Sequence, residues 1–204
     1  IPRDSESENI LKSLWIQHIT EIGFDENDES DNFWIAGSEW PCGPCCEIHV
    51  DRGEDWWPSD WALGVNDRYT EVWNNVFMEF YKNKDWSLAP LPQKNVDTGM
   101  GLGRLLMFLQ DKETIFDTDL FKPILEALGK YFTAQFWTAR EYPSYSVSEI
   151  AMNDQQKVIT RSYRIIAEHI NSSTFLLRDW VIPSNEWRWY VLRRLIRRMF
   201  YHMQ

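Results

Sequence analysis

The sequence predicts a mixed α+β fold, and three of its features point there. Residues 69–81 alternate side chains as a long strand does. A glycine-rich corner at residues 98–101 joins an extended piece to a leucine-rich helix. The C-terminal third carries two helical runs, the second with arginines opposite an apolar stripe. With 204 residues, 44% of them hydrophobic and 25% charged, the chain can bury a core. No run of about 18 apolar residues exists to cross a membrane.

Taken in order, residues 4–22 are acidic and mostly helical, with Ile10, Leu11 and Leu14 at helical spacing, before an extended piece over 16–24 and an acidic loop over 25–31. The strand at 69–81 places Thr70, Val72, Asn74, Val76, Met78 and Phe80 on one face and Glu71, Trp73, Asn75, Phe77 and Glu79 on the other. Residues 82–87 form a turn, and Val96-Asp97 ends a second, short extended piece. The helix after the corner should bury Leu102, Leu105, Leu106 and Leu109. Asp117-Thr118-Asp119 can cap a further helix with Pro123 in its first turn and Leu120, Ile124, Leu125 and Leu128 inward. Residues 134–154 are polar and aperiodic, which sets an expected boundary between domains at 1–135 and 136–204. Helical runs follow over 155–170 and 189–202. On the latter, Leu192, Leu195, Ile196 and Met199 face Arg193, Arg194, Arg197 and Arg198 across the helix.

The net charge of −10 argues against a uniformly basic nucleic-acid binder, yet its distribution matters more. Residues 1–60 hold 3 basic and 15 acidic side chains, whereas residues 178–204 hold 6 and 2. An arginine cluster in an otherwise acidic chain suits either a solvated helix face or a polyanion. Cys42, Cys45 and Cys46 lie too close together for a secreted disulfide framework, which predicts a reducing, cytoplasmic setting. Ile1-Pro2-Arg3-Asp4 has neither an initiator Met nor a signal-peptide core, so the chain reads as an excerpt.

Three segments could carry chemistry. In Val96-Asp97-Thr98-Gly99-Met100-Gly101-Leu102-Gly103-Arg104, the glycines let a ligand approach the backbone and the guanidinium can clamp phosphate oxygens. The segment is neither a P-loop nor a Rossmann turn. Pro41-Cys42-Gly43-Pro44-Cys45-Cys46-Glu47-Ile48-His49 offers Cys42, Cys45, Cys46 and His49 as zinc ligands, but all from eight consecutive residues; a tight loop with inward thiols is preferred. The third is Pro183-Ser184-Asn185-Glu186-Trp187-Arg188 and the arginine helix it leads into.

These segments, together with Asp31-Asn32-Phe33-Trp34 and Glu71-Val72-Trp73-Asn74-Asn75-Val76-Phe77-Met78, occur in the order and spacing of the alanyl-tRNA synthetases, which this chain resembles over nearly its whole length. The resemblance implies part of a class II antiparallel-sheet catalytic domain, including its motif 3, followed by the start of an α-helical tRNA-recognition domain. It implies ATP-dependent activation of L-alanine to the adenylate and transfer to the 3′ end of alanine tRNA. Asp97 and Arg104 would be catalytic, Asp97 as a buried carboxylate at a strand end pairing with the α-ammonium and Arg104 meeting the ATP γ-phosphate. Trp34, Asn74, Val76, Asp97 and Gly99 would hold alanine. Gly101 and Arg104, with Glu71 through Mg²⁺, would hold ATP. Asn185, Arg188, Arg193 and Arg194 would bind the tRNA acceptor stem. The family's motifs 1 and 2 would lie before Ile1, and its editing domain with a zinc site beyond Gln204, so the isolated chain is expected not to aminoacylate. Gly103 stands where the family has Glu, which leaves a non-catalytic RNA-binding paralogue as the alternative.

The chain has 12 tryptophans against 9 glycines. Trp15, Trp40, Trp86, Trp180, Trp187 and Trp189 stand where the resembled family commonly has glycine. Returning these six to glycine would bring its share to the usual value of about 7%. Reading of UGA as glycine would explain so uniform a replacement.

Overall fold

The structure, a computed structural model, describes residues 5–16, 18–20, 32–37, 39–54, 68–136, 142 and 151–204. The acidic loop expected over 25–31 lies outside them. Packing divides the chain into two compact units, Ile1–Leu102 and Gly103–Gln204.

The first unit holds helix α1 (Ser5–Ser13) and an antiparallel sheet of β1 (Phe33–Ile35), β2 (Trp40–Asp51), β3 (Tyr69–Lys82) and β4 (Leu88–Met100), in that order. The alternating run is β3, as expected, and the extended piece after the turn is a full 13-residue strand rather than a short one. Within 16–24, Ile16 and residues 18–20 lie in no strand, and 21–24 are outside the described residues.

The Pro41–His49 segment is no loop: all of it belongs to β2. An irregularity in register between Cys42 and Cys45 accommodates the two prolines and the glycine within the strand. Glycine is needed there, because a Cβ at Gly43 would sit 1.8 Å from the Phe77 carbonyl oxygen. Cys42 and Cys45 are buried, and Cys45 packs with Val76, Met78 and Leu91 as the core of the sheet. Burial pushes the Cys42 thiol above its ordinary pKa, with Lys82 opposing. At the far end of β2 and the start of β3, the Arg68 guanidinium grips Asp51 through Nε–Oδ1 at 2.6 Å and Nη2–Oδ2 at 2.7 Å, holding that carboxyl down to about 2.

The second unit contains α2 (Leu102–Leu109, from its second residue), a 3₁₀ turn (Ile115–Asp117), α3 (Lys122–Phe136), α4 (Asp154–Arg178) and α5 (Trp189–His202). Helix α2 buries a different face from the one expected. Leu102 and Leu109 are exposed, while Met107 is buried. The reason lies one turn back: Gly103 faces Ile115 and Leu120, so the 103/107 side of the helix is the one that packs. Helix α3 turns Leu125 and Leu128 inward, with Leu120 and Ile124 half-buried, as its spacing predicts.

Helix α4 starts with a reciprocal cap, in which the Asn153 side chain accepts from the Gln156 N–H and the Gln156 side chain accepts from the Asn153 N–H. It continues eight residues past the expected end at Ile170, through Asn171-Ser172-Ser173-Thr174. Those polar residues remain helical because Thr174 Oγ1 bonds back to the Ile170 carbonyl (2.7 Å) and Ser172 Oγ to Glu168 Oε1 (2.6 Å).

Phe121, Leu125, Leu128 and Phe132 of the α3 region pack with Tyr142 and with Tyr163, Ile166 and Ala167 of α4. Arg164 Nε donates to the Tyr142 hydroxyl at 2.6 Å. This shared core places α3 in one packing unit with α4, so the packing units do not follow the compositional boundary at 135/136.

Candidate active site and nucleic-acid interface

The register of β2, β3 and β4 assembles the first site. Asn74 lies opposite Gly99 and Val76 opposite Asp97, while on the other side Glu47 lies opposite Asn74 and Cys45 opposite Val76. Directly opposed residues of an antiparallel pair project to the same face. Four residues singled out in the sequence, Asn74, Val76, Asp97 and Gly99, therefore share one surface with Glu47.

Asn74 is aimed. Its Nδ2 donates to Glu47 Oε1 at 3.1 Å, and its Oδ1 is buried with no hydrogen-bond partner. Leaving a buried acceptor unpaired costs about 1–3 kcal/mol, which a donor from a ligand would offset. Glu47 Oε2 lies 3.0 Å from His49 Nε2, so one carboxylate ties both side chains down. Glu47 escapes sequence reasoning because it sits inside a segment whose cysteines and histidine draw the eye toward metal. Among the described residues no group of three or more His, Cys, Asp or Glu is gathered to hold a metal ion. Strand geometry spreads the residues of that segment along β2 instead of closing them on one point.

Asp97 differs from the buried carboxylate at a strand end that was expected. It is exposed, three residues before β4 finishes, and its Oδ1 accepts the Thr98 N–H at 2.9 Å. The cause is that residues 92–100 of β4 are all exposed. Space around Gly99 is open, with nothing within 4 Å of where its Cβ would be. Gly101 N–H donates to the Val72 carbonyl (3.1 Å), carrying the ladder past the end of β4. Trp34 lies on β1 opposite Gly43, about a third exposed. Trp73 is on the other face of β3, where its indole donates to the Thr98 hydroxyl.

Glu71 is a correction to simple alternation, which put it on the face away from Asn74. The register slips between Ile48/Trp73 and His49/Glu71, leaving Val72 as the extra residue. That bulge turns Glu71 to the face of His49, Glu47 and Asn74. Mg²⁺ is commonly held by one or two carboxylates together with substrate phosphates, and Glu71 is of the residue type that could supply one of them.

Arg104 is in the first turn of α2, within the second unit, and is exposed. The same unit holds the basic site. Asn185, Arg193 and Arg194 line one cavity of about 620 Å³ with Arg197, Arg198 and His169. Asn185 is exposed in the turn before α5, where the Ser184 hydroxyl accepts the Glu186 N–H at 3.0 Å. Arg188 is exposed but does not line this cavity. His169, missed in the sequence, is buried beside it; its Nδ1 meets Glu168 and its Nε2 has no partner. No helix among the described residues is long and apolar enough to cross a membrane.

The family model described as tRNA synthetases class II (A) matches residues 2–204. The chain belongs to that family. As a class II synthetase chain it is 38% identical over 196 residues to the alanine–tRNA ligase of Idiomarina loihiensis, covering 93% of this chain and 20% of that protein. It is 38% identical over 193 residues to the cytoplasmic alanine–tRNA ligase of Dictyostelium discoideum, covering 95% and 20%. With the alanine–tRNA ligase of Pseudomonas fluorescens it shares 43% over 175 residues, covering 85% and 18%. The chain thus spans about a fifth of the length of these curated relatives. The mixed α+β reading holds for the class II chain, as an antiparallel sheet with five α-helices among the described residues.

Proposed function

We propose that this chain serves in an ATP-dependent alanine–tRNA ligase, as the part that seats alanine and ATP and begins acceptor-stem recognition. The observation that carries the reading is the common face of Asn74, Val76, Asp97 and Gly99, with the buried, unpartnered Asn74 Oδ1 held in place by Glu47. A small amino acid needs little more than a carboxylate and an amide oxygen for its ammonium and limited apolar room for its methyl group. Asp97 and Asn74 supply the first, and Val76 with Trp34 the second. Gly99 leaves the approach to the sheet open.

The reaction is attack of the alanine carboxylate on the α-phosphorus of ATP, with pyrophosphate leaving, and then transfer of the alanyl group to the tRNA 3′ end. Positioning and charge neutralisation supply most of such catalysis, without a protein nucleophile. Glu71 would hold Mg²⁺, which neutralises phosphate charge when ATP is bound, and Arg104 would meet the γ-phosphate. Gly101 keeps the backbone of the corner clear of side chains. Asn185, with Arg188, Arg193 and Arg194, would follow the acceptor stem, whose A-form minor groove offers base edges and 2′-hydroxyls. A cytoplasmic setting belongs to the same reading.

Alanine-dependent exchange of pyrophosphate into ATP by the full-length protein tests it. Exchange specific for alanine supports the reading. Retained binding of alanine tRNA with no exchange would favour the RNA-binding paralogue.

A further inference from the structure

Among the described residues, six hold a left-handed backbone: Gly53 at φ 90°, Asp111 at φ 52°, and Trp15, Trp86, Trp180 and Trp187 at φ 65°, 70°, 62° and 49°. Glycine takes this conformation freely, and Asp and Asn tolerate it. A bulky aromatic side chain there is an outlier, since its Cβ crowds the carbonyl oxygen. Four tryptophans among six such positions call for a cause.

Each of three helices ends in the same device, in which two successive N–H groups fold back onto the last turn. At α2, Asp111 and Lys112 donate to the carbonyls of Phe108 (3.2 Å) and Met107 (2.9 Å). At α1, Trp15 and Ile16 donate to Lys12 (3.1 Å) and Leu11 (3.2 Å). At α4, Trp180 and Val181 donate to Leu177 (3.1 Å) and Leu176 (3.0 Å). This paired pattern puts its left-handed residue where glycine is the usual occupant.

The β3–β4 hairpin uses another glycine device. Trp86 N–H donates to the Asn83 carbonyl (3.0 Å) and Asn83 N–H to that of Ser87 (2.9 Å), a tight turn closed by a left-handed residue before the second strand. Trp187 lies in the turn that leads into α5.

The indoles gain little in exchange. Trp15, Trp86, Trp180 and Trp187 are 87%, 71%, 91% and 89% exposed; Trp86 alone of the four covers a cation, the Lys82 ammonium at 3.4 Å from its ring centre. Trp34 and Trp73, by contrast, have ordinary φ values and are about a third exposed. Trp40 and Trp189 also have ordinary φ values, so backbone geometry singles out four of the six tryptophans that the sequence marked.

We propose that residues 15, 86, 180 and 187 are glycine in the protein as its own cells make it, each encoded by UGA and read there as glycine. Drift from glycine codons would yield a mixture of Ala, Ser, Asp, Val, Arg and others, not tryptophan four times. Glycines at 180 and 187 also remove two exposed indoles from the short segment that presents Asn185.

Peptide mass spectrometry of the protein isolated from its own cells decides the matter. Glycine at 86 and 180, with tryptophan at 34 and 73, is expected; tryptophan at 86 and 180 overturns the proposal. A second test compares the chain as written with the variant carrying W15G, W86G, W180G and W187G. The variant should unfold at a higher temperature, each relieved site raising the folded-to-unfolded ratio roughly 5–30-fold. An equal or lower unfolding temperature counts against it.

Discussion

Strand β3 and helix α5 both present side chains proposed to bind substrate, but they do so against opposite backgrounds. On β3 the site is built by register: Val76 is buried, Asn74 is fixed by Glu47, and the neighbouring charges are acidic. On α5 it is built by helical period: Leu192 is fully buried, and the arginines emerge from the other sides around a cavity. An acid-rich strand surface suits one small cation-bearing molecule. A basic rim suits a polyanion whose phosphates repeat. The two should therefore fail separately when mutated, and the expected effects fall in the following order.

The largest is at Asp97. In the full-length protein, D97N should lower kcat/KM for alanine in pyrophosphate exchange by about 30- to 5,000-fold, the loss of a charge-assisted contact worth about 2–5 kcal/mol. Its affinity for alanine tRNA should be unchanged.

Next is the mirror-image variant, R193A/R194A. It should weaken binding of an acceptor-stem minihelix about tenfold and reduce the slope of log affinity against log salt by roughly 1–2, leaving exchange intact. Equal damage to both activities by either variant would break the distinction between the surfaces.

Glu47 sharpens it further. E47A frees the Asn74 amide to rotate, so KM for alanine should rise about 5- to 10-fold, corresponding to the roughly 1–1.5 kcal/mol of one hydrogen bond, with kcat little changed. E47Q, which can still accept from Asn74 Nδ2, should recover most of the loss.

The smallest effect is a pH dependence confined to the helical unit. Burial lowers the pKa of His202, helped by Arg198, Arg161 and His169. The folded state therefore resists protonation at a site that the unfolded chain protonates near pH 6.5. Stability from this group is full above that value and falls as pH drops through it toward the lowered folded pKa. Thermal unfolding of H202Q should show a shallower decline over this window than the parent chain.

Much of this was legible in the sequence, and the exceptions have physical reasons. β3 was visible because a strand whose two faces meet different environments keeps period two, and α5 because its apolar stripe and arginines keep period 3.6. β2 was hidden, since Pro41, Gly43 and Pro44 are punctuation in most contexts and only the irregular pairing with β3 makes them strand residues. The same kind of slip moved Glu71 to the face of Glu47 and Asn74, which no count along one strand can reveal. Helix α2 has more leucine than it can bury, so its packed side was decided by Gly103 and Met107. Glu47 became a site residue only through a partner 27 positions away.

The most direct measurement is alanine-dependent pyrophosphate exchange by the full-length protein, run in parallel for the parent, D97N and R193A/R194A. The account predicts robust exchange in the parent and the arginine variant and its collapse in D97N. Undiminished exchange in D97N would contradict the placement of the alanine site on the β3–β4 face.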